Sequence, residues 1–240
     1  MTRVATSHVV AVLIVALAFC CACISADGSD RASDEFTQRP WMDRQRPVAE
    51  RIELLLPQMS LAEKIAQLNR PNAVTNDTLA SGVGLLMHTT FMASNVSETV
   101  RTRNALQRQF LSTGVGKRLG IPASWRSFIN HGACAFGVTF PENVGQGSTW
   151  DVELVGQVAA ANAAAARAIG LDMEWYVMNL WADPRFGRLE EGFSEEPVLT
   201  SALVEATTLG SSGGLLGDDS YVAEDKVASF WKHCCGYAAA

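Results

Sequence analysis

The sequence predicts an α/β fold in which βαβ units build a parallel sheet. Short apolar runs alternate with helical segments of about 15 residues. Capping residues and glycines punctuate those segments. The 240 residues are 48% hydrophobic and 18% charged, the balance of a chain that buries a core. The formal charge of −6, with no basic run, argues against binding nucleic acid by neutralising phosphates.

The elements follow from the N-terminus. Arg3, the apolar run Val9 to Phe19 and the small residues Ser25-Ala26 read as a secretory signal over residues 1–26, cleaved after Ala26. The alternative is an uncleaved anchor, because Cys20 to Ile24 extend the apolar stretch toward spanning length. Residues 27–47 are polar, contain proline and lack an apolar period, so they read as a linker, and the fold is expected over 48–240. Ile52, Leu55 and Leu56 share one helical face ahead of Pro57. Ser60-Leu61-Ala62-Glu63 is a capping box that opens a second helix, with Leu61, Ile65 and Leu68 on its apolar side.

Val83 to Met87 suits a buried strand, and Val96 to Leu111 an amphipathic helix with Val100, Leu106 and Phe110 as core contacts. Leu119 to Ile129 begins like a strand but is interrupted by Pro122 and Arg126. Asp151 caps an Ala-rich helix, Val152 to Ile169, which Gly170 ends. Leu171 to Met178 reads as a strand, Asn179 to Glu196 as a charged loop, and Pro197 opens a helix to Leu209. Residues 210–225 read as a flexible connection and Lys226 to Trp231 as a final strand. Four strand candidates fall short of the eight that close a parallel barrel, so the segment reads as the front half of something larger.

Ligands of parallel α/β folds sit beyond the carboxyl ends of the strands, where two clusters fall. The loop Asp183-Pro184-Arg185-Phe186-Gly187-Arg188 continues into Glu190, Glu191, Glu195 and Glu196. Its arginines and carboxylates suit an ion-pair network that leaves one guanidinium for a ligand. On composition alone, a purely structural loop is the alternative. Lys232-His233 ends the last strand and suits hydroxyl-rich ligands as donors; a solvated strand terminus is its alternative. Cys134, Cys234 and Cys235 have no metal-ligand spacing, and either buried thiols or one bridge from Cys134 would account for them. Neither a phosphate loop nor a metal set is present in the sequence pattern, so no cofactor and no metal are expected. Asn76-Asp77-Thr78 and Asn95-Val96-Ser97 are sequons, compatible with a secreted glycoprotein.

Taken in order, Ala49 to Leu55 with Met59 to Leu68, Arg118 to Pro122, Thr139-Phe140-Pro141 with Ser148 to Asp151, Asp183 to Arg188 with Glu191 and Glu195, and Lys232-His233 resemble the family 3 glycoside hydrolases, the β-glucosidases and β-xylosidases. The resemblance implies an N-terminal (β/α)8 TIM-barrel-like domain, incomplete here with about four to six βα units, and a retaining double displacement on a β-linked glycoside. It also implies that Arg188, Lys232 and His233 bind the sugar in subsite −1. Glu191 would orient the arginine from three residues away, and Asp183 would support it.

The segment departs from the family pattern where an acid is expected before the His-Gly pair: Phe128 occupies that position, or His131 in an alternative alignment. No Ser-Asp-Trp motif follows Lys232-His233, and the acid/base has no candidate. No residue of this chain is therefore expected to be catalytic. Asp183, Glu190, Glu191, Glu195 and Glu196 share a loop with two arginines, which would make them poor general acids. The expectation is a secreted β-glucosidase or β-xylosidase segment, inactive alone, that meets membrane only if the leader stays. A non-catalytic sugar-binding protein of the same fold is the rival.

Overall fold

The computed structural model describes residues 38–71, 73–87, 95–129, 131–132, 137–177, 185–214 and 222–233, with the backbone alone at 175–177. The leader, Asp183 and the three cysteines of the expected mature chain lie outside the described residues. Two compact units divide between Met59 and Ser60.

In the first unit, Pro40–Met42 forms a 3-10 turn and α1 spans Val48–Leu55. Arg51 Nε donates to the Trp41 carbonyl at 2.7 Å, which ties the turn to the helix inside the segment that composition reads as linker. A 3-10 turn at Leu56–Gln58 follows α1 where Pro57 removes a backbone donor.

The second unit contains α2 (Leu61–Gln67), α3 (Asn76–Ser81), β1 (Leu85–Met87), α4 (Val96–Ser112), α5 (Gly114–Leu119) and β2 (Ser124–Phe128). It continues with α6 (Asn143–Gly147), α7 (Val152–Ala168), β3 (Met173–Val177), α8 (Pro197–Ser212) and β4 (Ala228–Lys232). The strands form one parallel sheet in the order β1-β2-β3-β4, so each helical crossover carries the chain to the next position.

The helix starts follow their capping chemistry. Ser60 and Glu63 close the capping box of α2. Asn95 Oδ1 accepts from Glu98 N at 3.0 Å, Asp151 Oδ1 from Leu154 N at 2.9 Å, and Glu196 Oε2 from Leu199 N at 2.6 Å. At the end of α7, Gly170 adopts φ +90°, a conformation that a β-carbon disfavours.

Alternation along the strands sorts the two sheet faces. Leu86, Trp125 and Glu174 are fully buried, and Trp231 packs with them toward the helices. This core joins Phe110 of α4 and Ala163 and Ala166 of α7, whose small side chains let helix approach sheet. Trp125 Nε1 donates to Gln107 Oε1 of α4 at 2.9 Å, so the large ring is buried with its polar atom satisfied. Burying such side chains is worth about 1.5–3 kcal/mol each.

Four expectations are corrected. The strand expected from Leu119 covers only Ser124–Phe128, because Leu119 ends the short helix α5 and Gly120 turns the chain at φ +72°. Arg126 does not interrupt that strand but lies within it, 5% exposed, with its guanidinium 5.5 Å from the Phe230 ring centroid. Residues 210–212 are not flexible connection but the last turn of α8, and Gly213 then bridges to Val222. The apolar side expected of α2 is not buried: Leu61, Ile65 and Leu68 are 73%, 57% and 88% exposed.

Candidate functional site

The loop after β3 and the end of β4 meet at the carboxyl edge of the sheet. Loop residues 189–191 form a 3-10 turn, which brings Glu191 back onto Arg188. Arg188 Nη2 donates to Glu191 Oε1 at 2.7 Å and lies 2.5 Å from Oε2. The turn itself is pinned from below. Buried Asn143 of α6 donates through Nδ2 to the Glu191 carbonyl at 2.8 Å. A β-carbon on Gly147 would stand 1.9 Å from the Phe193 carbonyl, so only glycine permits this approach of α6 to the loop. Phe193 in turn packs on Val155 of α7 and Leu203 of α8.

Of the other loop acids, Glu196 is engaged as the cap of α8 rather than in an arginine pair, while Glu190 and Glu195 are exposed. Asp183 cannot be compared with its expected supporting role, since it is outside the described residues.

Lys232 and His233, joined by a cis peptide, stand beside this pair. Burial holds the Lys232 ammonium below its ordinary pKa; the charge of Arg188 acts the same way, Glu191 opposes it, and Arg126 adds a smaller lowering. His233 is held below its ordinary pKa by burial first, then by Lys232 and Arg188. Its imidazole is therefore neutral at pH 7, offering one donor and one acceptor nitrogen.

Sequence reasoning missed part of this surface. On the sheet face opposite the helices, Phe128 ends β2 at the level of Phe230 on β4, both in backbone register with position 175 of β3. Lys232 Nζ lies 4.8 Å from the Phe128 ring centroid, and Arg126 crosses the other way to Phe230. Burial lowers the Arg126 pKa to about 10, with Arg70 adding to the effect. The signal was present in the residues: Arg126-x-Phe128 and Phe230-x-Lys232 place cation and ring two apart in opposite orders. His131, the alternative occupant of the missing acid's position, instead lies with Nε2 3.1 Å from Glu142 Oε1. Asn76 and Asn95 are both exposed at helix starts.

Fold and side chains together define a parallel α/β domain of the TIM-barrel type, with a cluster of charged and polar side chains at the carboxyl ends of the strands. Residues 60–240 match the family described as Glycosyl hydrolase family 3 N terminal domain, and the chain belongs to that family. A β-xylosidase of Formosa agariphila is 35% identical over 130 residues, covering 50% of this chain and 17% of its own. A periplasmic β-glucosidase of Salmonella typhimurium is 29% identical over 194 residues, 77% of this chain and 23% of its own. Among solved structures, a β-glucosidase from Erythrobacter marinus superposes with a TM-score of 0.72 at 25% identity, covering 82% of this chain and 27% of that one. The chain thus spans roughly a quarter or less of the length of the first curated relatives it matches.

Proposed function

We propose that this segment forms the sugar-holding part of a β-glycosidase site that acts on terminal β-linked glucose or xylose by a retaining mechanism. The observation that carries the reading is the Arg188–Glu191 pair beside Lys232 and His233 at the carboxyl edge of the sheet, in a chain of this family. Arg188 presents a planar fork of donors, a group of the kind that suits sugar hydroxyl oxygens, and Glu191 holds it in place. Glu191 acts through the arginine: it fixes the guanidinium plane and offsets its charge. The Lys232 ammonium donates to a hydroxyl oxygen, while the neutral His233 ring donates at one nitrogen and accepts at the other.

Retaining hydrolysis needs two carboxyl groups about 5–5.5 Å apart, one as nucleophile and one as acid/base. Glu191 is committed to Arg188, Glu196 to a helix cap, and Glu174 faces the helices rather than the site. These three described carboxylates are engaged elsewhere, which supports reading this segment as holding the sugar while the catalytic pair lies in other residues. The relatives include proteins named as periplasmic, which supports passage of this chain through a secretory route, with Asn76 and Asn95 as accessible glycosylation acceptors.

Calorimetric titration of the 240-residue chain with glucose and xylose, alongside an aryl β-glucoside assay, tests the reading. Binding that disappears in Arg188→Ala, with no turnover, is the expected result. Binding indifferent to Arg188→Ala overturns the sugar-holding role, and turnover overturns the assignment of catalysis to residues other than these.

A further inference from the structure

Trp150 carries the most exposed aromatic ring among the described residues, at 71%, and its backbone holds φ +58°. A bulky residue rarely takes that left-handed conformation, which glycine adopts at less cost. Bonds on either side impose it. Trp150 N donates to the Gly147 carbonyl at 3.1 Å, while Thr149 Oγ1 donates to the Gln146 carbonyl at 2.6 Å and accepts from Asp151 N at 3.2 Å. Asp151 in turn caps α7, and buried Gln146 donates through Nε2 to the Pro141 carbonyl at 2.8 Å. Strain and apolar exposure both count against folding at this position, which points to a role for the ring outside the fold.

The turn lies on the side of the sheet that bears the site. A helix that follows a parallel strand runs back along it, so the start of α7 falls at the carboxyl edge. Helix α6, from which the turn emerges, holds the Glu191 carbonyl through Asn143 and meets Phe193 at Gly147, so turn and sugar loop share one support. Around the ring, the exposed side chains of Ser148, Thr149, Asp151 and Glu153 are polar, and the apolar Val144, Val152 and Leu154 are smaller and less exposed. A flat aromatic face bordered by hydrogen-bonding groups suits a pyranose better than the apolar face of a protein partner. In β-linked glucose and xylose every hydroxyl is equatorial, so axial C–H bonds cover both faces of the sugar and meet the electron-rich face of an indole.

We propose that Trp150 is a stacking platform for a further ring of a β-1,4-linked glucose or xylose oligosaccharide, beyond the ring held by Arg188, Lys232 and His233. The proposal rests on the sugar-holding role of those three residues. Its test is calorimetry on the full chain, wild type, Trp150→Gly and Arg188→Ala, with glucose, xylose, cellopentaose, xylopentaose and maltopentaose, whose α-links curl the chain. Melting temperature and sedimentation are measured on the same proteins.

Cellopentaose or xylopentaose should bind at least about tenfold tighter than its monosaccharide and than maltopentaose, the order of effect of one stacked ring. Trp150→Gly should lose most of that advantage and melt no lower than wild type, because glycine relaxes the backbone. A variant that melts several degrees lower shows the ring to be a folding contact and overturns the proposal. A pentasaccharide advantage that is absent from the wild type, or that survives Trp150→Gly, overturns the platform and leaves the sugar-holding role standing. Self-association that Trp150→Gly abolishes, with pentasaccharide affinity unchanged, assigns the ring to a second copy and likewise overturns the proposal. Pentasaccharide binding that needs Trp150 but survives Arg188→Ala upholds the platform and overturns the sugar-holding role. Failure of every sugar to bind overturns both readings.

Discussion

Replacing Glu174 by glutamine should remove most of the pH dependence of the stability of the Ser60–Ala240 unit. Glu174 sits on β3, fully buried, with Ser229 Oγ donating to its Oε1 at 2.8 Å. Burial pushes its carboxyl up to about 8 from an ordinary 4.5, against the opposing pull of the neighbouring Ser211 and Ser229 hydroxyls. A raised carboxyl pKa means that the folded chain keeps a proton which the unfolded chain releases. The folded state therefore binds more protons between the two values, and stability falls as pH rises from about 4.5 to about 8. At about 1.36 kcal/mol per pH unit the whole interval costs at most about 5 kcal/mol, of which about 3 is already lost at pH 7. That is a large share of the ~5–15 kcal/mol that holds a domain folded. Glutamine keeps the shape and discards the charge. Urea unfolding of both proteins at pH 5, 6, 7 and 8.5 reads the effect, and the difference between them isolates this side chain from every other titrating group. Similar stabilities at pH 5 should diverge to an advantage of several kcal/mol for Glu174→Gln at pH 8.5. Parallel curves across that range would show that Glu174 is ionised in the folded protein and would refute the reasoning.

Asn143→Ala leaves the Glu191 carbonyl without its buried donor, and should cost about 1–3 kcal/mol in urea unfolding while weakening sugar binding through a misplaced Arg188. Asp172→Ala removes the carboxylate that accepts from Trp125 N at 3.0 Å and pairs with Arg167 at 2.8 Å and Arg103 at 3.7 Å, joining β2, α4 and α7 below the sheet. A melting temperature lowered by several degrees with sugar affinity intact is the expected outcome, whereas lost affinity in a fully folded variant would contradict the purely structural role. Gly210→Ala places a β-carbon 2.3 Å from the Gly156 carbonyl, where α8 crosses α7. Overpacking of this kind costs about 1–3 kcal/mol, and an unchanged melt would mean that the helices separate freely.

Helix boundaries were legible in this sequence because their signals are local. Asn95, Asp151 and Glu196 each bond a backbone amide three residues on, so residue type and offset suffice. The Arg188–Glu191 pair was legible for the same reason, since a 3-10 turn brings residues three apart together. Beta-strand β2 was harder to read. Arg126 looks like a strand breaker when polarity is expected to mark solvent, yet it is buried because a ring on β4, more than a hundred residues on, receives its guanidinium. Glu174 eluded the sequence reading in the same way, as its burial depends on Ser229 and on the packing of α8.

The helix α2 shows the reverse failure. Leu61, Ile65 and Leu68 have the right period for a buried stripe and are exposed, so periodicity reports a face able to pack without saying what packs on it. Function follows the same division between local and distant information. The polar side chains at the carboxyl edge were readable one motif at a time, whereas the crossed cation–ring contacts exist only because β2 and β4 carry a cation and a ring two residues apart in opposite order. Reversing one of those pairs, Phe230→Lys with Lys232→Phe, keeps composition and net charge but takes the ring away from Arg126. If that ring is what makes burial of the Arg126 guanidinium tolerable, the double variant should melt several degrees lower; an unchanged melting temperature would show that the contact contributes nothing to holding β2 against the sheet.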